Sequence, residues 1–188
     1  ARTQNTPPVA IEKLLFEGQS LMVQVIKDPI GTKGARLSTQ ISIAGRMLVY
    51  LPHEPHIGIS QKIGSETERQ ALRDRLQALV PPTESGGFIV RTQAELATDD
   101  ELAADLAYLQ KLWAIVQKAA RTLPATSVLH QDLNLAQRVL RDMVTPNTHQ
   151  ILVDSRSTYA ELETWAQTYT PSVTARLEHF SGERPLFD

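Results

Sequence analysis

Apolar residues recur at helical spacing behind a series of capping signals. Ser65 and Glu68 stand three apart, ahead of Leu72, Leu76, Leu79 and Val80, and Pro81-Pro82 stops the run. Thr98 and Glu101 repeat the signal before a longer stripe of Leu102, Leu106, Leu109, Trp113 and Val116. That helix is predicted to reach about Arg121 and to end before Pro124. Residues 133–143 read as a further helix with Leu133, Ala136, Val139, Leu140 and Met143 inward, and Thr158 with Glu161 caps one bearing Leu162 and Trp165.

Between these stripes the pattern shortens to strands. SLMVQVIKD (20–28) is β-type, residues 29–34 supply proline and glycine for a tight reversal, and in ARLSTQISI (35–43) Leu37, Thr39 and Ile41 alternate with polar residues. RMLVYLP (46–52), FIVRT (88–92), SVLH (127–130), QILVD (150–154) and VTARLEHF (173–180) read as further strands. Residues 1–10, with Pro7-Pro8, form a polar lead-in expected to be disordered. The last third thus predicts a β-α-β-α-β order and a small mixed sheet flanked by helices. The first three strands cannot close a barrel, so that unit reads as truncated. The expected class is α+β, divided as 1–44, 45–124 and 125–188.

Composition narrows the function classes. Of 188 residues 41% are apolar and 21% charged, ordinary for a globular protein. No apolar run is long enough to span a membrane, and no segment has the makeup of a secretion signal, so a cytoplasmic protein without membrane partners is expected. The absence of cysteine excludes disulfides and thiolate metal sites. A net charge of −2 excludes a non-specific nucleic-acid coat, so any RNA contact must rest on a few placed cations.

Several groups could carry chemistry. Arg91 and Thr92 put a guanidinium fork and a hydroxyl at a strand end, which suits a terminal phosphate; the plainer alternative is an arginine paired with a neighbouring carboxylate. Lys27, Lys33 and Arg36 bracket the reversal, either as a nucleic-acid contact or as a solvated turn that discourages edge pairing. His53 and His56 are three apart around Pro55, the wrong spacing for a helical metal pair, and read as a surface loop. His130, His149 and His179 lack ligand spacing. Asp99, Asp100 and Glu101 could suggest a two-metal centre, but a helix's first turn explains them more simply.

The stretch EGQSLMVQVIKDPIGTKGARLSTQISIAGRMLVYLP (17–52) closely resembles the ribonuclease E/G family, nearer its ribonuclease G branch. GGFIVRT (86–92), LAQRVLRD (135–142), ILVDS (151–155) and LEHFSGERPLFD (177–188) follow in the family's order. The resemblance implies the tail of an oligonucleotide-binding barrel over 1–44, a 5′-sensor domain over 45–124 and part of an RNase H-like domain over 125–188. It implies that Arg91 and Thr92, with the backbone near Gly45 and Val49, grip the 5′-monophosphate of RNA in a pocket too small for a triphosphate. It also implies that lysines at the positions of Lys27 and Lys33 contact single-stranded RNA. Asp132 and Asp154 follow strands where RNase H enzymes carry metal ligands, but the family's version of that fold has lost this chemistry, so both are expected to be structural. The catalytic aspartates would follow Asp188, in a DNase I-like domain. No catalytic residue and no cofactor is therefore expected within the chain; Mg2+ and a structural Zn2+ are implied for the full-length protein, as is a homo-oligomer.

Two functions result. One is the RNA-binding, 5′-monophosphate-sensing part of a single-strand-specific endoribonuclease acting in RNA processing and decay. The other is a non-catalytic RNA- or protein-binding module that does not read the RNA end.

Overall fold

Both early capping boxes form as their spacing predicts. The Ser65 hydroxyl accepts the Glu68 N–H while Glu68 reaches back to the Ser65 N–H, starting α1 (Glu66–Leu79). Thr98 and Glu101 do the same for α2 (Asp99–Thr122). These contacts come from a computed structural model, which describes residues 9–182 and Leu186. Pro7-Pro8 of the expected lead-in and the Glu183, Arg184, Pro185, Phe187 and Asp188 end of the last family-like segment lie outside the described residues.

The helices pack on a four-stranded sheet of order β3-β4-β6-β5, built from β3 (Ile43–Ala44), β4 (Leu48–Leu51), β5 (Ile57–Ile59) and β6 (Gly87–Val90). β4 runs antiparallel to both β3 and β6, whereas β5 is parallel to β6, with α1 as the crossover between them. Leu48, Tyr50, Phe88 and Val90 point into the core and meet the predicted stripe of α2, all of which is buried. Each fully buried aliphatic or aromatic side chain contributes on the order of 2 kcal/mol, so this layer dominates stability.

Before this sheet lies a separate hairpin of β1 (Gln24–Lys27) and β2 (Arg36–Ser38), in which Ile30 and Lys33 exchange backbone hydrogen bonds at 3.1 Å to close the expected reversal. The expected single strand over 35–43 is in fact split, and its two ends serve different sheets. Leu37, predicted inward, is 54% exposed beside its partner Val25 at 55%, because a two-stranded sheet has no second layer to cover it. The Gln24 carboxamide ties the hairpin to the main sheet through two 2.9 Å bonds to the Ser42 backbone. Among the described residues no closed barrel forms.

The last third departs furthest from expectation. Residues 127–130 are not a strand; Val128 is exposed and, among the described residues, unpaired. α3 (Leu135–Asp142) starts at Asn134, whose side chain forms a reciprocal cap with Gln137. α4 (Arg156–Tyr169) is capped by Ser155, which accepts the Thr158 N–H, so Thr158 is not itself the cap. The predicted strand 173–180 begins as a short helix α5 (Pro171–Thr174), with proline at its first position, before β8 (Leu177–His179). β8 pairs in parallel with β7 (Ile151–Val153) alone, so the mixed sheet is only a two-stranded ribbon against α4. Leu140, Leu162, Trp165 and Val173 join it to the common core, whereas Val139 of α3 and Met143 at its C-cap, both expected inward, are exposed.

Candidate functional site

Two glycines set the entry to β6. A β-carbon on Gly86 would lie 2.5 Å from the Tyr50 ring, and one on Gly87 would collide with the carbonyls of Glu54 and His56. Glu84 braces the same corner, accepting from the Tyr50 hydroxyl (2.8 Å), the Gly86 N–H (2.9 Å) and Gln110 (2.7 Å). Burial pushes the Glu84 carboxyl up, but these bonds and the Ser85 backbone N–H together outweigh it and hold it below the ordinary glutamate range. The GGFIVRT segment thus starts from a backbone position that side chains could not share.

At its far end β6 stops at Val90, two residues short of the expected strand. Arg91 is half-buried at the N-cap of a 3-10 turn, Thr92–Ala94, and Thr92 is the first residue of that turn. The Arg91 guanidinium donates to the Gly45 carbonyl, and its backbone N–H donates to the Met47 carbonyl at 2.8 Å. Among the described residues Arg91 is in no ion pair. Val49 is half-buried in β4, opposite Ala44 and Ile89. The structure therefore brings Arg91 to Gly45, with Val49 in β4 and Thr92 in the 3-10 turn that follows β6.

The turn at 45–48 is held from beneath by a residue that sequence reasoning passed over. Asp105, 8% exposed on the buried face of α2, accepts the N–H groups of Arg46 (2.9 Å), Met47 (2.8 Å) and Leu48 (2.8 Å). Burial pushes its carboxyl above the usual aspartate range against the pull of these donors. Its signal was present in the sequence: a carboxylate three residues after Leu102 and four before Leu109, on an otherwise apolar stripe.

The turn is also tied to the last third. Arg141 of α3, its side chain 10% exposed, grips Asp142 with two bonds and donates to the Ala44 carbonyl at 2.8 Å; Arg46 donates in return to the Val144 carbonyl at 3.3 Å. A cleft of about 300 Å³ lies between these parts, bordered by Arg46, Met47, Asp105 and Arg141; Arg91 and Thr92 do not line it.

The expected RNA cations lie on the hairpin. Lys27 and Arg36 are directly opposed, and both are exposed, as is Lys33. Like charges placed opposite cost roughly 0.2–1 kcal/mol unless an anion screens them. The remaining candidates are structural. His53 meets the Trp113 ring edge-on at 5.7 Å, Asp99 pairs with Arg75 at 2.7 Å, and Glu101 belongs to a cap. Asp132 bonds Arg138 at 2.5 Å, and Asp154 directly precedes the α4 cap. Among the described residues no three His, Asp or Glu side chains gather to hold a metal. No helix among them is long and apolar enough to cross a membrane.

A model of the ribonuclease E/G family matches residues 42–188. The chain is 46% identical over 178 residues to the Ribonuclease G of Escherichia coli (strain K12) and 45% identical over 178 residues to that of Salmonella typhimurium (strain SL1344). Each alignment covers 95% of this chain and 36% of the relative. The Ribonuclease E of Nostoc sp. (strain PCC 7120) is 35% identical over 182 residues, covering 95% of this chain and 26% of that protein. The chain thus spans little more than a third of the length of the two Ribonuclease G relatives and about a quarter of that of the Ribonuclease E.

Proposed function

The chain belongs to the ribonuclease E/G family, and from that membership we propose that it is the RNA-binding, 5′-monophosphate-sensing part of a single-strand-specific endoribonuclease. The observation that carries this reading is the state of Arg91. Its guanidinium is anchored by a neutral carbonyl, that of Gly45, and by no carboxylate among the described residues. One edge of the guanidinium is fixed in direction by that carbonyl, which leaves the other edge to meet a ligand. A 5′-monophosphate fits this arrangement, taking the free edge of the fork and the Thr92 hydroxyl beside it. Residues 1–44 would then be the tail of the oligonucleotide-binding barrel, 45–124 the sensor and 125–188 part of the RNase H-like domain.

Lys27, Lys33 and Arg36 supply a second, sequence-tolerant contact to the strand. Holding the 5′ end raises the local concentration of the downstream RNA at an active site carried elsewhere in the longer protein. The metal-dependent cleavage, cytoplasmic location and homo-oligomer of the full-length protein belong to the same proposal.

The test is fluorescence anisotropy at fixed salt with RNA oligomers that differ only at the 5′ end. The 5′-monophosphate form should bind more tightly than the 5′-hydroxyl form, a 5′-triphosphate should gain nothing, and Arg91→Gln should abolish the difference. Equal affinities of wild-type protein for monophosphate and hydroxyl ends refute end-sensing and leave the non-sensing module.

A further inference from the structure

Resting on the assignment of Arg91 to the RNA 5′-phosphate, we propose that Asp105 is the positioning residue of the sensor, its carboxylate fixing the 45–48 turn so that the Gly45 carbonyl aims the Arg91 guanidinium.

A buried carboxylate is unfavourable unless hydrogen bonds replace its water. Here every replacement comes from one turn. Asp105 takes three successive backbone N–H groups, those of Arg46, Met47 and Leu48. The carbonyls of the same turn go elsewhere: Gly45 to the Arg91 side chain, Met47 to the Arg91 backbone, and Leu48 to the Gly45 N–H at 2.8 Å. Arg91 is therefore fastened twice to a segment whose opposite side Asp105 fastens three times. Gly45 completes the match. A β-carbon there would lie 2.6 Å from both Asp105 carboxylate oxygens, so the turn and the acid fit only with glycine between them.

An apolar residue at position 105 would serve the core of α2 as well. It would leave three buried N–H groups of the turn without partners, and the turn would open toward water. The Gly45 carbonyl would then lose its fixed direction, and Arg91 with it. The charged groups that face Asp105 are few: Arg141 from α3 is the neighbouring cation, and Tyr108 lies one residue-triplet along the same helix.

The variant to make is Asp105→Asn in the full chain. It keeps the shape but replaces one acceptor oxygen by an amino group facing an N–H donor. Two readouts are needed. The first is the ratio of dissociation constants for 5′-hydroxyl and 5′-monophosphate RNA. It should fall about tenfold toward unity, the worth of one charge-assisted hydrogen bond, while affinity for 5′-hydroxyl RNA stays as in wild type. The second, without RNA, is the NMR signal of the Arg91 side-chain N–H, which should move together with the amides of residues 46–48. An unchanged ratio, or an Arg91 signal that stays in place while those amides move, overturns the proposal. If the wild-type ratio is already one, end-sensing fails by itself, and the Arg91 signal alone decides whether Asp105 positions the arginine. Should Asp105→Asn not fold, Asp105→Glu, which keeps the charge but is one methylene too long to meet the turn's N–H groups in place, is read in the same two ways, with the same outcomes for and against.

Discussion

The α-carbon of Gly86 rests against the ring of Tyr50, with 2.5 Å between the ring and any β-carbon that might be added. Tyr50 cannot retreat, because its hydroxyl is bonded to Glu84 and its ring lies 5.0 Å from that of Phe88. Gly86→Ala should therefore destabilise the chain by about 1–3 kcal/mol, the usual cost of overpacking a filled core. Gly34→Ala, in the open hairpin turn where a β-carbon meets nothing, should stay within about 0.5 kcal/mol of wild type. Urea midpoints of the two variants check the contrast, and equal midpoints would mean the corner is looser than it looks.

Phe88 is wholly buried in the middle of the main sheet. Phe88→Ala should cost about 3–5 kcal/mol, enough to unfold a marginal domain at room temperature. Loss of the cooperative thermal transition by circular dichroism is the expected outcome.

The capping boxes at Ser65 and Thr98 were legible because an oxygen-bearing cap, a Glu three residues on and an apolar stripe agree on one answer. Asn134 and Gln137 form the same device with the other permitted residue types, ahead of a helix whose outer face stays apolar and exposed, so the stripe misjudged the start. Ser155 was missed in favour of Thr158 because both are hydroxyls and the first turn between them is polar. β5 carries a glycine and pairs in parallel with a strand 28 residues or more away, a contact that no local pattern records. The strand expected over 127–130 failed for the opposite reason: its short apolar run has no partner. At the candidate site, Arg91 was singled out through the family-like segment. The carboxylate that shapes its surroundings was hidden among the leucines of α2.

Lys27 and Lys33 sit on a hairpin with no ion-pair partner among the described residues. Lys27→Ala and Lys33→Ala should each weaken single-stranded RNA binding alike for phosphorylated and hydroxyl ends. Each should also lower the slope of log affinity against log salt by about 0.7, one phosphate contact's worth. Titrations at several salt concentrations give the slope; an unchanged slope would return the hairpin to the status of a solvated turn.

Glu84 makes stability depend on acid. Its depressed carboxyl contributes fully above the ordinary glutamate value of about 4.3, and that contribution is lost as pH falls through the lower folded-state value. Wild-type stability should therefore drop more steeply than that of Glu84→Gln between roughly pH 5 and pH 3. Denaturation curves collected across that interval test it, and parallel slopes would remove Glu84 as the cause.

β6 is an interior strand, paired with β4 on one side and β5 on the other. Amide protons of Phe88 and Val90 can exchange with solvent only when a ladder opens, so slow exchange is expected in the strand that leads into Arg91. On the proposed reading, a 5′-phosphate at Arg91 would meet a main chain that is already ordered. Whatever selectivity the arginine has is set before the ligand comes, and heat should erase it only when it melts the domain as a whole.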